Sequence, residues 1–289
     1  MNIAGKQARS ILTKASGYLT GYTYSLNPYT GCSYGCSYCY VRQMPVNRFR
    51  KEEWGAWVDI KENAAELYVK EMRRARKKHN IITIFMSSST DPYQPVEVQE
   101  RITRSILKSM VEIPPDFLLL QTRSPLVTRD MDILQALKDR LLVSITVETD
   151  REDIRKQFTP KAPPIAGRLR TLAELKEVGI PAQAAVSPVL PCSREFAGKL
   201  HSVVDRVTID DYFMGDGSGG KRTSNLGVYD LYKKIGLEDW FHPEAYKKVL
   251  DQFKEYFHED QIYISQEGFL PPVSDGIGSK TKGTFDQKE

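Results

Sequence analysis

Residues 117–147 read FLLLQTRSPLVTRDMDILQALKDRLLVSITV. The stretch opens on an apolar run, 117–122, and passes through a turn-prone Thr122-Arg123-Ser124-Pro125. Ile133, Leu134 and Leu137 then recur at helical spacing over 130–140, and a second apolar, β-branched run follows at 141–147. Both strand candidates are apolar throughout instead of alternating, which implies a parallel pair buried on both faces and joined by a helical crossover.

The same unit repeats outward in both directions. Further strands are expected at 22–26, 81–86 (IITIFM), 182–190 and 207–210, with a possible terminal strand at 261–265. Helices are expected at 61–78, 96–111, 165–178, 196–204 and 244–256. This alternation is that of an α/β chain with a parallel sheet, closed either as an open doubly wound sheet or as a barrel. In both, ligands sit beyond the C-terminal ends of the strands. Residues 27–40, 87–94, 122–125, 148–150, 187–192 and 210–214 therefore belong to one functional face.

Composition narrows the class. The chain has 289 residues, 40% hydrophobic and 27% charged, too apolar and too balanced in charge for a disordered protein. No apolar run reaches the ~18 residues of a membrane span. The N-terminus is basic but lacks an apolar core, so a cytoplasmic location is expected, not secretion. A net charge of +4 permits a nucleic-acid partner without arguing for one. The basic cluster Arg73, Arg74, Arg76, Lys77 and Lys78 ends a predicted helix, where cations suit the dipole.

Three of the four cysteines, Cys32, Cys36 and Cys39, lie together just after the first predicted strand. A disulfide framework would spread them along a secreted chain, so the cluster points to metal in a reducing compartment. Thiolates favour zinc, copper(I) or iron–sulfur clusters. Structural zinc takes four protein ligands. Here only three cysteines are close, and His79, His201, His242 and His258 are scattered. Three thiolates on a tight loop suit a [4Fe–4S] cluster with one iron left open.

Cys32-x-x-x-Cys36-x-Tyr38-Cys39 resembles the signature of the radical S-adenosylmethionine (SAM) superfamily. The surrounding residues 27–42, the string Thr90-Asp91-Pro92-Tyr93-Gln94-Pro95-Val96-Glu97, Thr122-Arg123-Ser124-Pro125 and Val143-Ser144-Ile145-Thr146 are similar to its spore photoproduct lyase-like group. The resemblance implies a partial (β/α)6 TIM-like barrel over 21–215, between an N-terminal extension (1–20) and a C-terminal extension (216–289) holding a Gly-rich loop and a long helix. It implies a [4Fe–4S] cluster on the three cysteines, SAM as cofactor, and an electron donor such as flavodoxin or ferredoxin. The expected chemistry is reductive cleavage of SAM and hydrogen abstraction from a nucleic-acid, peptide or small-molecule substrate. The alternative is a non-catalytic scaffold whose cysteines hold zinc or an iron–sulfur cluster.

The resemblance also assigns roles. Tyr38 would lie near the adenine and Tyr40 would point into the substrate cavity. Ser88, Ser89 and Asp91 would meet the methionine ammonium, although Ser, Thr and Asp before a helix also cap it. Arg123 would bind the SAM carboxylate, a surface salt bridge being the alternative. Ser144, Thr146 and Glu148 alternate, so they share one side of their strand, where they can meet ribose hydroxyls. Ser88 stands where the lyase has a hydrogen-donating cysteine, and a serine O–H is far harder to cleave homolytically than a thiol, so the thymine-dimer reaction is not carried over. Cys192, at the end of the fifth strand, is the remaining thiol expected on the catalytic face. Finally, 215–221 has the G-x-x-x-x-G-K spacing of a phosphate-binding loop, but Arg222 stands where Ser or Thr should follow. A Gly-rich lid is the expected role, with Lys221 and Arg222 available to an anionic substrate.

Overall fold

The computed structural model describes residues 1–272. Its strands are β1 (Asn2–Lys6), β2 (Leu12–Lys14), β3 (Tyr24–Leu26), β4 (Tyr29–Thr30), β5 (Trp57–Lys61), β6 (Thr83–Met86), β7 (Phe117–Thr122), β8 (Leu141–Thr146), β9 (Ala182–Val186), β10 (Val207–Ile209) and β11 (Ile262–Ile264). The main sheet has eight strands in the order β11-β10-β9-β8-β7-β6-β3-β2. All its pairs are parallel except β2–β3. The six expected strands stand side by side in sequence order, the arrangement of a partial TIM-like barrel. The possible terminal strand is present as β11 and extends the sheet.

Strand residues divide between two faces, as the pleat requires. Ile84, Met86, Leu118, Leu120, Val143, Ile145, Ala184 and Val186 face outward into the main core. There they meet helices Ala64–Ala75, Ile102–Glu112, Met131–Leu137, Ile165–Glu177 and Ala245–Lys254. Phe85, Leu119 and Ala185 face inward and close the barrel floor with Tyr22 and Phe269. The gap between the edge strands is bridged by chain segments: the Tyr22 hydroxyl donates to the Phe269 carbonyl at 2.6 Å, and Gln266 Nε2 to the Tyr18 carbonyl at 2.7 Å.

Three expectations change in detail. The helix expected over 61–78 starts at Ala64, because Lys61 ends β5. β5 pairs with β1 and β4 in a separate three-stranded sheet. The helix expected over 96–111 is two helices, Glu97–Glu100 and Ile102–Glu112, split where Arg101 adopts a φ of 52°. The Glu97 carboxylate is the cause: it accepts the N–H groups of Thr103 and Arg104 at 2.9 and 3.2 Å and so creates a second helix start. The strand expected over 182–190 stops at Val186. The chain then crosses the barrel rim, with Val189 N–H on the Asp210 carbonyl (2.7 Å) and Leu190 N–H on the Glu148 carbonyl (3.1 Å).

Within 1–20, β1 and β2 both belong to sheets. The long helix expected at 244–256 runs Ala245–Lys254. Residues 273–289 of the expected C-terminal extension lie outside the described residues. Among the described residues no helix is long and apolar enough to cross a membrane.

Candidate active site

The cysteine loop leaves β4 through Gly31, whose φ of 89° and approach to Trp57 exclude a side chain: a Cβ there would stand 2.6 Å from the Trp57 carbonyl oxygen. Residues 90–94 hold the loop. Thr90 Oγ1 donates to the Gly31 carbonyl at 2.5 Å, and Gln94 Oε1 accepts the Ser33 N–H at 2.9 Å. Arg42 secures the far side through the carbonyls of Cys36 (3.0 Å) and Gly35 (2.7 Å). The motif strings at 32–42 and 90–94 thus form one mechanical unit.

All three thiols of the loop are free and line one cavity of about 620 Å³. The cavity lies at the C-terminal ends of the barrel strands, where the parallel sheet places it. Cys32 and Cys36 are buried, and Cys39 is half-buried. Burial pushes all three thiols up, Cys39 to about 12; Asp91 and the neighbouring thiols add to the rise at Cys32. Such a set favours thiolates only once a metal supplies positive charge. The cavity lining includes no histidine and no fourth cysteine. Among the described residues no three histidine, cysteine, aspartate or glutamate side chains gather around a single ion position. A donor set of three soft ligands with an open side fits an iron–sulfur cluster and leaves a structural zinc site incomplete.

Beside the thiols stands a buried charge network. Arg123, at the end of β7, directs Nη1 to Glu148 Oε1 at 2.6 Å and to the Tyr38 hydroxyl oxygen at 3.1 Å. Tyr38 in turn donates to Glu148 Oε1 at 2.5 Å. Arg168, on helix Ile165–Glu177, takes the other carboxylate oxygen at 2.5 Å. Burial alone would lift the Glu148 carboxyl, but the two guanidiniums outweigh it and hold it at about 2. Asp91 accepts the Tyr93 N–H (2.9 Å), the Thr122 hydroxyl (2.7 Å) and the Arg123 N–H (2.9 Å), so its carboxylate fixes the chain on which Arg123 rides.

The structure brings most expected residues together. Tyr38, Tyr40, Ser88, Ser89, Asp91, Arg123 and Thr146 line the cavity with the three cysteines. The Tyr40 hydroxyl donates to the Ser88 carbonyl at 2.5 Å. Glu148 is buried behind Arg123 instead of lining the cavity, and Ser144 lies deeper in the barrel, accepting from Gln183 Nε2 at 3.0 Å.

Cys192 requires a correction. It is absent from the cavity and packs half-buried against the outer core, because residues 187–191 carry the chain over the rim. Burial, with the nearby Asp150, lifts its thiol to about 12. The Gly-rich loop is also not a phosphate cradle. Its anion position is taken by its own aspartate: Asp216 accepts the N–H groups of Ser218 (2.7 Å), Gly220 (3.0 Å) and Thr223 (3.2 Å). Gly215, Asp216, Gly217 and Arg222 form part of the cavity wall, while Lys221 is exposed and stands outside it.

Tyr18 and Gln121 line the cavity although they lie outside the face read from the sequence, and Ser87, Ser187, Asp210 and Asp211 line it from within that face. Ser87 Oγ, Gln121 Oε1 and Asp211 Oδ2 are buried without a hydrogen-bond partner. Arg168 did leave a signal, since a charged residue in the apolar stripe of Ile165, Leu172 and Leu175 demands a buried partner.

A family model described as "Radical SAM superfamily" matches residues 26–191. An uncharacterized protein of Methanocaldococcus jannaschii is 35% identical over 249 residues, 83% of this chain and 85% of that protein. An uncharacterized protein of Acidianus two-tailed virus is 31% identical over 175 residues, 58% of this chain and 56% of that protein. Among solved structures, spore photoproduct lyase complexed with dinucleoside spore photoproduct superposes with a TM-score of 0.64 at 14% identity, covering 91% of this chain and 81% of that one. A mutant of that lyase with bound AdoMet and dinucleoside spore photoproduct gives a TM-score of 0.63 at 14% identity, with the same coverage. At that identity the likeness is one of fold.

Proposed function

The chain belongs to the radical SAM superfamily and is a radical SAM enzyme, and on that premise we propose that its cavity binds a [4Fe–4S] cluster on Cys32, Cys36 and Cys39 with SAM beside it. The observation that carries this reading is the shared cavity: three free thiols on one loop face the same space as the guanidinium of Arg123. Cys32, Cys36 and Cys39 would hold the cluster, which would supply the electron for reductive cleavage of SAM and so the means of abstracting hydrogen from the substrate.

The protein's own work is to bind, orient and exclude water. Among the described residues Arg123 commits only Nη1, so Nε and Nη2 remain for the SAM carboxylate in a bidentate pair. Ser88 and Ser89 border the cavity where donors and acceptors can meet the methionine end, while Asp91 works from behind by fixing Arg123. Tyr38 walls the adenine side, its hydroxyl anchored on Glu148. Thr146 Oγ1, which lines the cavity and accepts from Gln121 Nε2 at 2.6 Å, would meet the ribose. Trp54, Phe85, Tyr212 and Phe269 give the cavity an apolar boundary that keeps water from a radical.

The substrate class stays open between nucleic acid and a peptide or small molecule. A nucleic-acid substrate draws support from the fold shared with spore photoproduct lyase, whose complex holds dinucleoside spore photoproduct. Ser88 in the cavity and Cys192 outside it leave no thiol but the three cluster ligands facing the substrate, so the lyase's own repair reaction is not proposed. A flavodoxin- or ferredoxin-type donor and a cytoplasmic setting accompany this reading.

Protein purified without oxygen and reconstituted with iron and sulfide is the test. About four irons and four sulfides per chain are expected, falling in Cys32→Ala, Cys36→Ala and Cys39→Ala. Stoichiometric zinc with no iron or sulfide would instead establish the scaffold.

A further inference from the structure

The Glu148 carboxylate faces two guanidiniums, not one. Arg123 holds Oε1 at 2.6 Å and Arg168 holds Oε2 at 2.5 Å. Arg168 has 0% exposure, and its remaining donors are spent on the Thr146 carbonyl (Nη1, 3.1 Å) and the Pro163 carbonyl (Nε 3.1 Å, Nη2 2.9 Å). Fully buried and absent from the cavity lining, it does not reach the cavity. Arg123 does line it, with Nη1 turned to Glu148 and Tyr38.

Charge arithmetic gives this arrangement a purpose. A lone Arg123–Glu148 pair would be neutral, and an incoming carboxylate would compete with Glu148 for the guanidinium. With Arg168 on the other oxygen, the triad carries one positive charge in excess, and low surrounding polarity strengthens its pull on an anion. The burial of Arg168 directs that excess toward Arg123, the member with an open edge.

We propose that Arg168 is a positioning residue for SAM: by occupying Glu148 from behind, it leaves the charge of Arg123 uncompensated and its guanidinium aimed, so that Nε and Nη2 of Arg123 can hold the SAM carboxylate. The inference rests on the SAM reading above.

The test is SAM affinity of the anaerobically reconstituted protein, read by equilibrium dialysis and by the change in the reduced-cluster electron paramagnetic resonance spectrum on adding SAM. Arg168→Met should weaken SAM binding about tenfold or more at unchanged iron content, and blunt the spectral change. Arg168→Lys restores the charge while losing most of the carbonyl bonds, and should bind within about threefold of the parent. Parent-like affinity in Arg168→Met overturns the proposal, and so does Arg168→Lys binding as weakly as Arg168→Met. Should Arg168→Met not fold, Arg168→Lys decides: near-parent affinity supports the charge role, and a tenfold loss overturns it. Parent protein that loads a cluster yet binds no SAM defeats the SAM reading itself, which is a separate result.

Discussion

The two walls of the cavity solve the problem of buried charge in opposite ways. On the cysteine-loop side, Arg123, Glu148 and Arg168 pair at 2.5–2.6 Å. On the far side, after β9 and β10, Asp210 and Asp211 have no cation within ion-pair distance among the described residues. Asp210 accepts only neutral donors: the Tyr18 hydroxyl at 3.3 Å, the Ser187 hydroxyl at 3.4 Å and the Asp211 N–H at 3.0 Å. Asp211 caps a short helix with Oδ1 and leaves Oδ2 unpartnered. Burial, reinforced by Asp211, pushes the Asp210 carboxyl up to about 7. A wall with matched charges is preorganised before anything binds. A wall with unmatched acids responds to pH and to whatever donor enters.

The largest expected effect lies on the matched side. Cys36→Ala should lose cluster iron and bring 5′-deoxyadenosine formation to the assay background, measured on protein reconstituted without oxygen. Glu148→Gln comes next. It strands two guanidiniums, one of them wholly buried, and should cost about 3–5 kcal/mol in urea unfolding. A loss below about 1 kcal/mol would break the contrast between the walls, because it would mean that the network is no more than surface-like pairing.

The walls also predict opposite pH dependence. Glu148 is held at about 2, below the ~4.3 of an unfolded glutamate, so its contribution is present above pH ~4 and is lost as pH falls toward 2. Asp210 is raised to about 7, above the ~3.9 of an unfolded aspartate. Its contribution is therefore complete below pH ~4 and lost as pH climbs through 7. Asp210→Asn removes that loss and should be the more stable protein above pH 7, by up to about 4 kcal/mol, with the difference vanishing near pH 4. Thermal unfolding of both proteins between pH 4 and 8 checks this, and parallel curves would show that Asp210 ionises freely.

The smallest effects belong off the cavity. Cys192→Ser and Lys221→Ala should each leave SAM cleavage within about twofold and stability within about 0.5–1 kcal/mol. A large activity loss in either would return that residue to the site.

What the sequence disclosed follows the same division. β7, β8 and the cysteine loop are local patterns, so run length and spacing reveal them before any contact is known. Arg123 and Ser88 follow from the rule that loops after parallel strands share one face. β5 hid because Asp59 and Lys61 interrupt its apolar character, and its partner β1 lies at the other end of a long loop. Arg168 and Glu148 are each readable as misplaced charges, but only the fold shows that they meet. Tyr18 and Asp210 are separated by most of the barrel, and the closure of the sheet edges brings them together. Cys192 leaves the catalytic face because the strand expected to reach residue 190 ends at Val186. The Gly-rich loop has the spacing of a phosphate cradle, yet Asp216 occupies it as an internal anion.

The proposed reductive cleavage of SAM in this cavity depends on the three cysteines. Anaerobically reconstituted protein, incubated with dithionite and SAM, tests it by chromatography of the products. The parent protein should form 5′-deoxyadenosine and Cys36→Ala none. Fully loaded parent protein that forms no 5′-deoxyadenosine, or a Cys36→Ala variant that forms as much as the parent, would contradict it.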